Sequence, residues 1–304
     1  MFDIIIIGGG MAGMTAALYA LRNNKKVLVL EKESIGGQIA QSPKVENYPT
    51  VKSITGTELA DELFEQISAL NVEFELEDVL KVEKEDNIFI VTTNYNTYTA
   101  KAVIVATGAK HRKLGIENED KFIGKGIYYC AICDGPFFAG EEVTLIGDAN
   151  SALQYALMLA GYCKKVHMIT LFDRFFGEKS LQDAVLNTKN IEITNNLKAV
   201  KLIGEDKLES VVFEKKDKST VTYKTNAVFV AIGQVPDNKF FEKLVDLDKS
   251  GYIISNEACE TKTSGLFVAG DCRTKEVRQV TTAMGDGAIA ATKACKYLVT
   301  VEGE

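Results

Sequence analysis

Apolar runs rich in β-branched residues and bounded by glycine recur along the chain, alternating with helix-like segments. The runs read FDIIIIG, KKVLVLE, AVIVATG, EVTLIG, KKVHMIT, AVFVAIG and GLFVAGD, and two of the helix-like segments read MAGMTAALYALRNN and ANSALQYALMLAGY. Strands that are apolar throughout are typical of parallel sheets with helices on their faces. The pattern predicts an α/β fold built on doubly wound parallel sheets.

One strand, glycine turn, helix and strand unit occurs twice. The block IIIIGGGMAGMTAALYALRNNKKVLVLE at 4–31 is echoed by VTLIGDANSALQYALMLAGYCKKVHMIT at 143–170. Each block has the order of a nucleotide-binding unit. We therefore predict two Rossmann-like (three-layer ββα) domains. The second, residues 114–245, is inserted into a discontinuous first domain made of residues 1–113 and 246–304.

Length and composition agree with this organisation. The chain has 304 residues, 46% of them hydrophobic, which suits about two domains. A net charge of -7 argues against nucleic acid as the main partner, because phosphate binding requires a basic face. No window reaches the roughly 18 uninterrupted apolar residues of a membrane span, and the N-terminus has no signal-peptide pattern. We expect a cytoplasmic protein.

The first glycine turn carries the dinucleotide fingerprint. Gly8, Gly10 and Gly13 form G-x-G-x-x-G between a strand and a helix, and Glu31 ends the next strand. In such a turn the first glycine permits the bend, the second admits a pyrophosphate and the third allows close helix packing, while the acid binds a ribose. A purely structural turn is the alternative, and the surrounding strand and helix pattern favours dinucleotide binding.

The chain has six cysteines, and only Cys130 and Cys133 form a close pair, followed directly by Asp134. A C-x-x-C pair can be a zinc clip, a structural disulfide or a redox couple. Zinc is disfavoured because His111 and His167 lack ligand spacing, and a permanent disulfide is unusual in the cytosol. Asp134 could be a solvated turn acid or a proton shuttle. Four cysteines are expected to be buried apolar residues: Cys163, Cys259, Cys272 and Cys295.

Several motifs together resemble one known family. They are GGQIAQSPKVENYP at 36–49, ATGA at 106–109, CAICDG at 130–135 and GLFVAGDCRTKEVRQVTTAMGDGAIAA at 265–291. With the first glycine turn, they resemble the low-molecular-weight thioredoxin reductases, which are flavoproteins of the pyridine nucleotide-disulfide oxidoreductase group, over nearly the full length. The resemblance implies FAD as cofactor, thioredoxin or a similar small protein as substrate, no metal, and a homodimer.

The resemblance also assigns roles to individual residues. It makes Cys133 the flavin-facing sulfur, Cys130 the thiol that attacks the partner's disulfide, and Asp134 the acid. It implies an FAD site in four groups: Gly8, Gly10, Ala12, Gly13 and Glu31 at the ADP part; Val79 at the adenine; Gly37, Gln38, Asn47, Thr107 and Gly108 near the ribityl chain and ring; and Gly270, Asp271, Arg278, Gln279 and Val280 in a late segment.

The second glycine turn departs from the NADPH-using members of this family. It reads GDANSA at 147–152, so Ala149 has a methyl group where a pyrophosphate must approach the backbone. Leu171, Phe172 and Phe176 occupy the three positions where those members have arginines that hold the 2′-phosphate. Losing three such contacts, each worth about 1.5 to 3 kcal/mol, weakens binding at least about a thousandfold. No acid ends the strand KKVHMI to hold the ribose of NADH.

This combination is similar to the ferredoxin-dependent flavin thioredoxin reductases of anaerobic bacteria, which implies reduced ferredoxin as the electron donor. Candidate basic docking sites are 109–113, Arg273, Lys275 and Arg278, unless these are ordinary solvated loops or, for Arg278, committed to FAD. NADPH held by other groups, a flavin dithiol oxidase that uses oxygen, and a flavin-bearing redox sensor are the alternatives. The intact cysteine pair and Asp134 argue most strongly against the sensor.

Overall fold

A computed structural model describes residues 1–42 and 44–302. The strands are β1 (Phe2–Ile7), β2 (Val27–Glu31), β3 (Glu73–Leu76), β4 (Val79–Glu85), β5 (Ile88–Thr93), β6 (Thr97–Val105), β7 (Ala109–His111), β8 (Ile127–Tyr128), β9 (Glu142–Ile146), β10 (Lys165–Ile169), β11 (Ile191–Thr194), β12 (Lys198–Ile203), β13 (Ser210–Glu214), β14 (Thr220–Lys224), β15 (Val228–Val230), β16 (Gln234–Pro236) and β17 (Leu266–Val268). The helices are α1 (Met11–Arg22), α2 (Gly56–Ser68), α3 (Ala131–Asp134), α4 (Asn150–Ala160), α5 (Lys179–Leu186) and α6 (Val280–Glu302).

The chain divides into two compact units. Unit 1 comprises Met1–Lys110 and the chain from Val235 onward, and unit 2 comprises His111–Gln234. The second unit is therefore inserted into the first, as the sequence predicts. Among the described residues, no helix combines the length and the apolar character needed to cross a bilayer.

Unit 1 is built on a parallel sheet in the order β3-β2-β1-β6, with β17 paired to the end of β6. Side chains alternate between the faces of β1, as they must in a strand. Ile4 and Ile6 pack with α1, α2 and α6, whereas Ile5 and Ile7 pack with the antiparallel strands β4 and β5. The result is a three-layer arrangement of helices, parallel sheet and antiparallel strands.

Unit 2 repeats this architecture. Its parallel sheet has the order β11-β10-β9-β15-β8. One face packs on α4 through Leu145 and Met168, and the other packs through Ile146 and Ile169 on the antiparallel strands β12, β13 and β14. Both units have helices on one face and antiparallel strands on the other, which confirms the predicted pair of Rossmann-like domains.

The chain returns from unit 2 to unit 1 at 234/235, earlier than the predicted boundary at residue 245. The segment from Val235 to Val245 folds with unit 1, because Phe241 and Val245 are buried against Phe89 and Val91 of β5. The first crossing also precedes residue 113, at 110/111. Burial of apolar side chains, which a local reading of polarity does not register, places the second boundary.

Candidate functional site

The first glycine turn lies between β1 and α1, and its glycines serve different purposes. Gly8 has φ 115°, and a Cβ there would collide with the carbonyl of Ala106. A Cβ at Gly13 would collide with the Gly8 carbonyl. Gly10 has ordinary extended backbone, and the nearest atom to a Cβ there is the Gly36 oxygen at 3.7 Å. The protein itself requires Gly8 and Gly13, whereas the space at Gly10 remains free for a ligand.

Glu31 closes this turn from the end of β2. Its carboxylate accepts hydrogen bonds from the backbone N–H of Gly9 at 2.7 Å and of Glu33 at 2.8 Å. These bonds fix the acid beside the glycine turn, at the position where the fingerprint requires a ribose acceptor.

A cavity of about 230 Å³ opens beside Glu31 in unit 1. Its lining includes five residues that the sequence predicted: Gly8, Glu31, Val79, Thr107 and Gly108. Sequence reasoning missed others in the lining: Lys32, Asp78, Lys110, Val235, Asp237 and Phe240. The last three follow the return of the chain from unit 2, where no local motif marks them. A backbone turn, a fixed carboxylate and an aliphatic wall together suit the pyrophosphate, ribose and adenine of a dinucleotide.

The late segment meets the first turn through small residues. A Cβ at Gly270 would lie 2.8 Å from the Cβ of Ala12, so glycine permits the close approach. The neighbouring Asp271 has an Oδ1 that is buried without a hydrogen-bond partner among the described residues. Burial raises the pKa of this carboxyl, and the charges of Lys275 and Arg278 lower it. A buried acceptor without a partner is costly, so this carboxyl fits a ligand hydroxyl such as those of a ribityl chain.

The segment that follows also contacts the 36–49 region. Asn47 donates from Nδ2 to Oε1 of Gln279 at 3.2 Å, directly before Val280 begins α6. Arg278 donates to the carbonyl of Asp271 at 3.4 Å, and its guanidinium lies 4.2 Å from the centre of the Tyr252 ring. These contacts bring the late predicted residues together with Asn47.

Three further predicted residues engage neighbouring chain. A Cβ at Gly37 would lie 3.5 Å from the Cα of Gly10, so these two turns adjoin. Gln38 donates from Nε2 to the carbonyl of Ala109. Thr107 donates to Oδ1 of Asn238 at 3.2 Å. The predicted FAD residues thus form one connected set in unit 1, of which five line the cavity itself.

Two of the basic residues considered for ferredoxin docking are not surface groups. Arg273 and Lys275 are each about nine-tenths buried at the side chain, and both bind the carboxylate of Asp286, at 3.1 and 2.8 Å. The prediction that they form a docking face is wrong, because the fold buries them as ion pairs. In the 109–113 segment, Lys110 pairs with Glu33 and Lys113 pairs with Asp120.

The cysteine pair forms a disulfide in unit 2. Cys130 and Cys133 are joined with their Cα atoms 5.2 Å apart. Cys130 caps the one-turn helix α3: its Sγ accepts from the Cys133 N–H at 3.2 Å and its carbonyl accepts from the Asp134 N–H at 2.9 Å. The two-residue spacer therefore lies on a helical turn, which brings the sulfurs within bonding reach.

Asp134 is buried beside this disulfide, with 8% of its surface exposed. Burial raises its pKa to about 7, so it holds and releases a proton near neutral pH. Its charge also contributes, after burial, to the raised pKa of the Tyr128 and Tyr155 hydroxyls. A solvated turn acid would have none of these properties. Of the two roles considered for Asp134, the geometry fits a proton shuttle and not a solvated turn acid.

The second glycine turn retains only the first glycine. Gly147 has φ 153°, and a Cβ there would collide with the carbonyl of Ala231, which is the counterpart of the Gly8 contact. Ala149 occupies the position equivalent to Gly10, and Ala152 the position equivalent to Gly13. Burial raises the pKa of Asp148 in this turn. The turn keeps the glycine that the fold requires, and the Ala149 methyl group occupies the position equivalent to Gly10.

The turn after β10 presents an apolar surface. Leu171, Phe172 and Phe176 are each about half exposed, and the two phenyl rings meet edge to face at 5.3 Å. The Arg174 guanidinium lies 5.0 Å from the centre of the Phe176 ring. The Phe176 N–H donates to the Asp148 carbonyl at 2.8 Å, so the apolar turn is held against the second glycine turn.

The remaining cysteines are buried, as predicted: Cys163, Cys259, Cys272 and Cys295. Burial raises the pKa of Cys259 and Cys272 to about 11. Thiols with raised pKa values are poor nucleophiles near neutral pH, which sets these cysteines apart from the disulfide pair.

Comparisons with known proteins agree with this geometry. The family described as Pyridine nucleotide-disulphide oxidoreductase matches residues 2–287. A thioredoxin reductase of Treponema pallidum is 38% identical over 99% of this chain and 98% of its own. A 34.2 kDa protein in the rubredoxin operon of Clostridium pasteurianum is 39% identical, with 97% of each chain covered. The crystal structure of a Streptococcus pyogenes thioredoxin reductase superposes with a TM-score of 0.94 at 36% identity, covering 99% of both chains. The chain therefore belongs to the pyridine nucleotide-disulphide oxidoreductases, as an FAD-dependent enzyme homologous to the thioredoxin reductases.

Proposed function

We propose that this protein is a thioredoxin reductase that uses reduced ferredoxin as its electron donor and passes electrons through FAD and the Cys130–Cys133 disulfide to thioredoxin or a similar small protein. The observation that carries the reductase role is the half-buried disulfide at the start of α3 with the buried Asp134 directly after it. The relatives named thioredoxin reductase over nearly the whole chain support it.

The cofactor site in this proposal is the connected set in unit 1. Gly10 would leave space for the pyrophosphate, Glu31 would accept from the adenosine ribose, and Val79 would lie on the adenine side. The residues that would hold the ribityl chain and ring are Gly37, Gln38, Asn47, Thr107, Gly108, Gly270, Asp271, Arg278, Gln279 and Val280. A bound flavin supplies redox chemistry that accepts electrons singly and delivers them in pairs.

The sulfur chemistry follows from the pair itself. Reducing the Cys130–Cys133 disulfide takes two electrons and two protons. The Cys130 thiolate then attacks one sulfur of the partner's disulfide, forming a mixed disulfide and releasing the other partner sulfur as a thiolate. Cys133 attacks the mixed disulfide, which restores the Cys130–Cys133 bond and frees the partner as a dithiol. Asp134 donates the proton that the leaving partner thiolate requires, and it recovers a proton from the Cys133 thiol when that thiol is deprotonated to attack the mixed disulfide.

The choice of ferredoxin rests on unit 2. A nucleotide with a 2′-phosphate requires cations, and the turn after β10 presents Leu171, Phe172 and Phe176 instead. Arg174 faces the Phe176 ring in that turn, beside Asp173, which pairs with Lys216 at 3.7 Å. At about 1.5 to 3 kcal/mol for each charge-assisted contact, the missing set outweighs what one arginine returns.

A homodimer is part of the proposal. In unit 1 a cavity of about 510 Å³ opens between α1, α2 and the start of α6, with Met11, Leu59 and Met284 in its lining and the half-exposed Tyr19 at its edge. An opening with apolar side chains among polar ones, such as Glu62 and Gln66, suits a second copy of the chain. Sedimentation equilibrium of the FAD-loaded protein, with Tyr19→Asp as the interface variant, tests it: a wild-type protein that stays monomeric at micromolar concentration contradicts the dimer.

The donor is tested by anaerobic bleaching of the flavin band at about 450 nm. NADPH, NADH, reduced ferredoxin and a small dithiol are offered separately to the same preparation. We expect fast bleaching by reduced ferredoxin and slow bleaching by both nicotinamides. Fast bleaching by NADPH favours an NADPH-dependent thioredoxin reductase. Fast bleaching by the dithiol followed by rapid reoxidation in air favours a flavin dithiol oxidase.

A further inference from the structure

Asp286 lies at the centre of a buried charge cluster in unit 1. Its Oδ2 accepts from the Gly270 N–H at 3.1 Å and from Lys275 Nζ at 2.8 Å, and its Oδ1 accepts from Arg273 Nη1 at 3.1 Å. Asp286 is 8% exposed, and the side chains of both cations are nearly as buried. One carboxylate from α6 therefore holds both the backbone of the Gly270 turn and two cations.

The second cation is anchored on several sides. Arg273 donates from Nε to Ser255 Oγ at 2.6 Å and from Nη2 to the Asn256 carbonyl at 2.8 Å. Breaking a buried ion pair leaves an uncompensated charge, which is far costlier than losing a surface pair. Arg273 therefore keeps two other partners without Asp286, whereas the bond that holds Lys275 is the one to Asp286 Oδ2 at 2.8 Å.

Lys275 also acts on Asp271, whose Oδ1 is buried without a partner among the described residues. Gly270, which Asp286 holds, is the residue directly before Asp271. Asp286 thus binds both the backbone N–H of Gly270, directly before Asp271, and Lys275. Lys275 is the positive charge that lowers the pKa of Asp271 most. A ligand that binds Asp271 therefore contacts a carboxyl whose backbone and charged neighbour are both held by Asp286.

We propose that Asp286 is a positioning residue for the flavin: it fixes the Gly270–Asp271 turn and holds Lys275 beside Asp271, so that the Asp271 carboxylate meets the ribityl hydroxyls in one orientation. This inference rests on the proposed FAD site. It adds a residue that neither contacts the cavity lining nor belongs to the glycine turns.

The first test is titration of the apoprotein with FAD, followed by quenching of flavin fluorescence. Asp286→Asn keeps an acceptor for the Gly270 N–H but removes the charge, and we expect FAD to bind at least about thirtyfold more weakly. Lys275→Met keeps Asp286 paired with Arg273, and we expect about a tenfold loss. Asp246→Asn is the matched control, because Asp246 pairs with Lys262 at 2.8 Å on the surface of the same unit; its affinity for FAD stays at the wild-type value.

The second test separates positioning from general stability. The groups whose charges act on Asp271 are Lys275 and Arg278, which lower its pKa, and Asp286, which raises it, with burial as the largest cause. If the ionised carboxyl accepts from FAD, affinity falls on acidification as Asp271 protonates. Lys275→Met removes one lowering charge, so that fall moves to higher pH by up to about one unit. A merely structural role for Lys275 would not move it.

The outcomes distinguish the inference from the proposal beneath it. If Asp271→Asn binds FAD as wild type does, the proposed FAD site is wrong. If Asp271→Asn weakens FAD while Lys275→Met matches Asp246→Asn in both affinity and pH profile, only the inference fails. Should the Asp286→Asn apoprotein fail to fold, as judged by thermal unfolding, Lys275→Met and its pH profile decide the question.

Discussion

The two glycine turns of this chain differ in what they keep. Gly8 and Gly147 both have positive φ and both lie against the carbonyl of a neighbouring strand's end, Ala106 in one unit and Ala231 in the other. The second position is Gly10 in unit 1 and Ala149 in unit 2. The first glycine is required by the fold and is present in both units. The second is not required by the fold, since the nearest atom to a Cβ at Gly10 lies 3.7 Å away; in our proposal it serves the cofactor, and only unit 1 has it.

The same contrast holds beyond the turns. Unit 1 places the fixed carboxylate of Glu31 at the end of β2, whereas in unit 2 the buried Thr170 follows β10, donating to the Phe172 carbonyl at 2.6 Å. Unit 2 holds instead the disulfide and Asp134. One architecture thus serves a cofactor in one copy and a sulfur switch in the other, and substitutions can separate these uses.

The largest expected effect is loss of the sulfur switch. In Cys133→Ser no disulfide can form with Cys130, and reduction of thioredoxin should fall at least about a thousandfold, the scale seen when a covalent nucleophile is removed. FAD content and bleaching by the electron donor should persist, because they belong to unit 1. Stopped-flow absorbance and insulin-coupled thioredoxin reduction measure the two separately. If Cys133→Ser still reduced thioredoxin, the proposed electron transfer through the Cys130–Cys133 disulfide would be wrong.

Asp134→Asn should lower thioredoxin reduction about a hundredfold, the lower range for a lost general acid. Burial raises the pKa of Asp134 to about 7. The fraction of enzyme with a protonated Asp134, and with it the wild-type rate, should therefore fall as pH rises through 7, and the variant should lack that inflection. An unchanged pH profile in the variant would remove Asp134 from the mechanism.

We expect Asp134→Asn to raise the stability of the fold although it lowers the activity. A carboxyl with a raised folded pKa stabilises the protein fully below its unfolded pKa, near 4, and this contribution is lost as pH rises through about 7. Asparagine does not ionise. Urea unfolding should find Asp134→Asn more stable than wild type by about 1 to 3 kcal/mol at pH 8, with the difference shrinking at pH 5.

Gly10→Ala tests whether the second glycine serves a ligand alone. The backbone there is extended and the nearest atom to a Cβ lies 3.7 Å away, so stability should change by no more than about 0.5 kcal/mol. FAD affinity should fall about thirtyfold, since the methyl group occupies the pyrophosphate's approach. Ala149→Gly in unit 2 is the matched control and should leave FAD affinity unchanged. A large loss of stability in Gly10→Ala would assign that glycine to the fold.

The smallest expected effect is a gain. Restoring arginines at Leu171, Phe172 and Phe176 together with Ala149→Gly should improve bleaching of the flavin by NADPH about tenfold, because cations and space return to one site. NADH, which lacks the 2′-phosphate, should gain less. Equal gains for both nucleotides would argue that the missing arginines are not what excludes NADPH.

Much of the fold was accessible from the sequence. The apolar β-branched strands, the repeated block and the two glycine turns predicted two Rossmann-like units, and the structure confirms them. The second boundary lies at 234/235 and not at 245, because Phe241 and Val245 contribute to the core of unit 1. Local polarity carries no information about which distant strand a side chain covers.

The candidate site divides along the same line. Gly8, Gly13 and the cysteine pair are recognisable from short-range spacing, because their chemistry depends on neighbours a few residues away. Glu31 is recognisable from the strand and helix order, which places it at the end of β2 beside the glycine turn. Arg273 and Lys275 read as free surface cations until the fold placed Asp286 between them. Asp237 and Phe240 join the lining of the cavity of about 230 Å³ only because the chain returns to unit 1 after unit 2.

By itself the sequence determined the strand and helix order, the turn that admits a dinucleotide, the sulfur pair and the absence of arginines at 171, 172 and 176. Only the tertiary structure decided that Asp134 is buried, that Asp271 has a buried oxygen with no partner in the part of the chain that the structure describes, and that two expected docking cations are internal. The reason is physical: spacing along the chain fixes local geometry, whereas burial and charge pairing depend on residues that meet only when the chain folds.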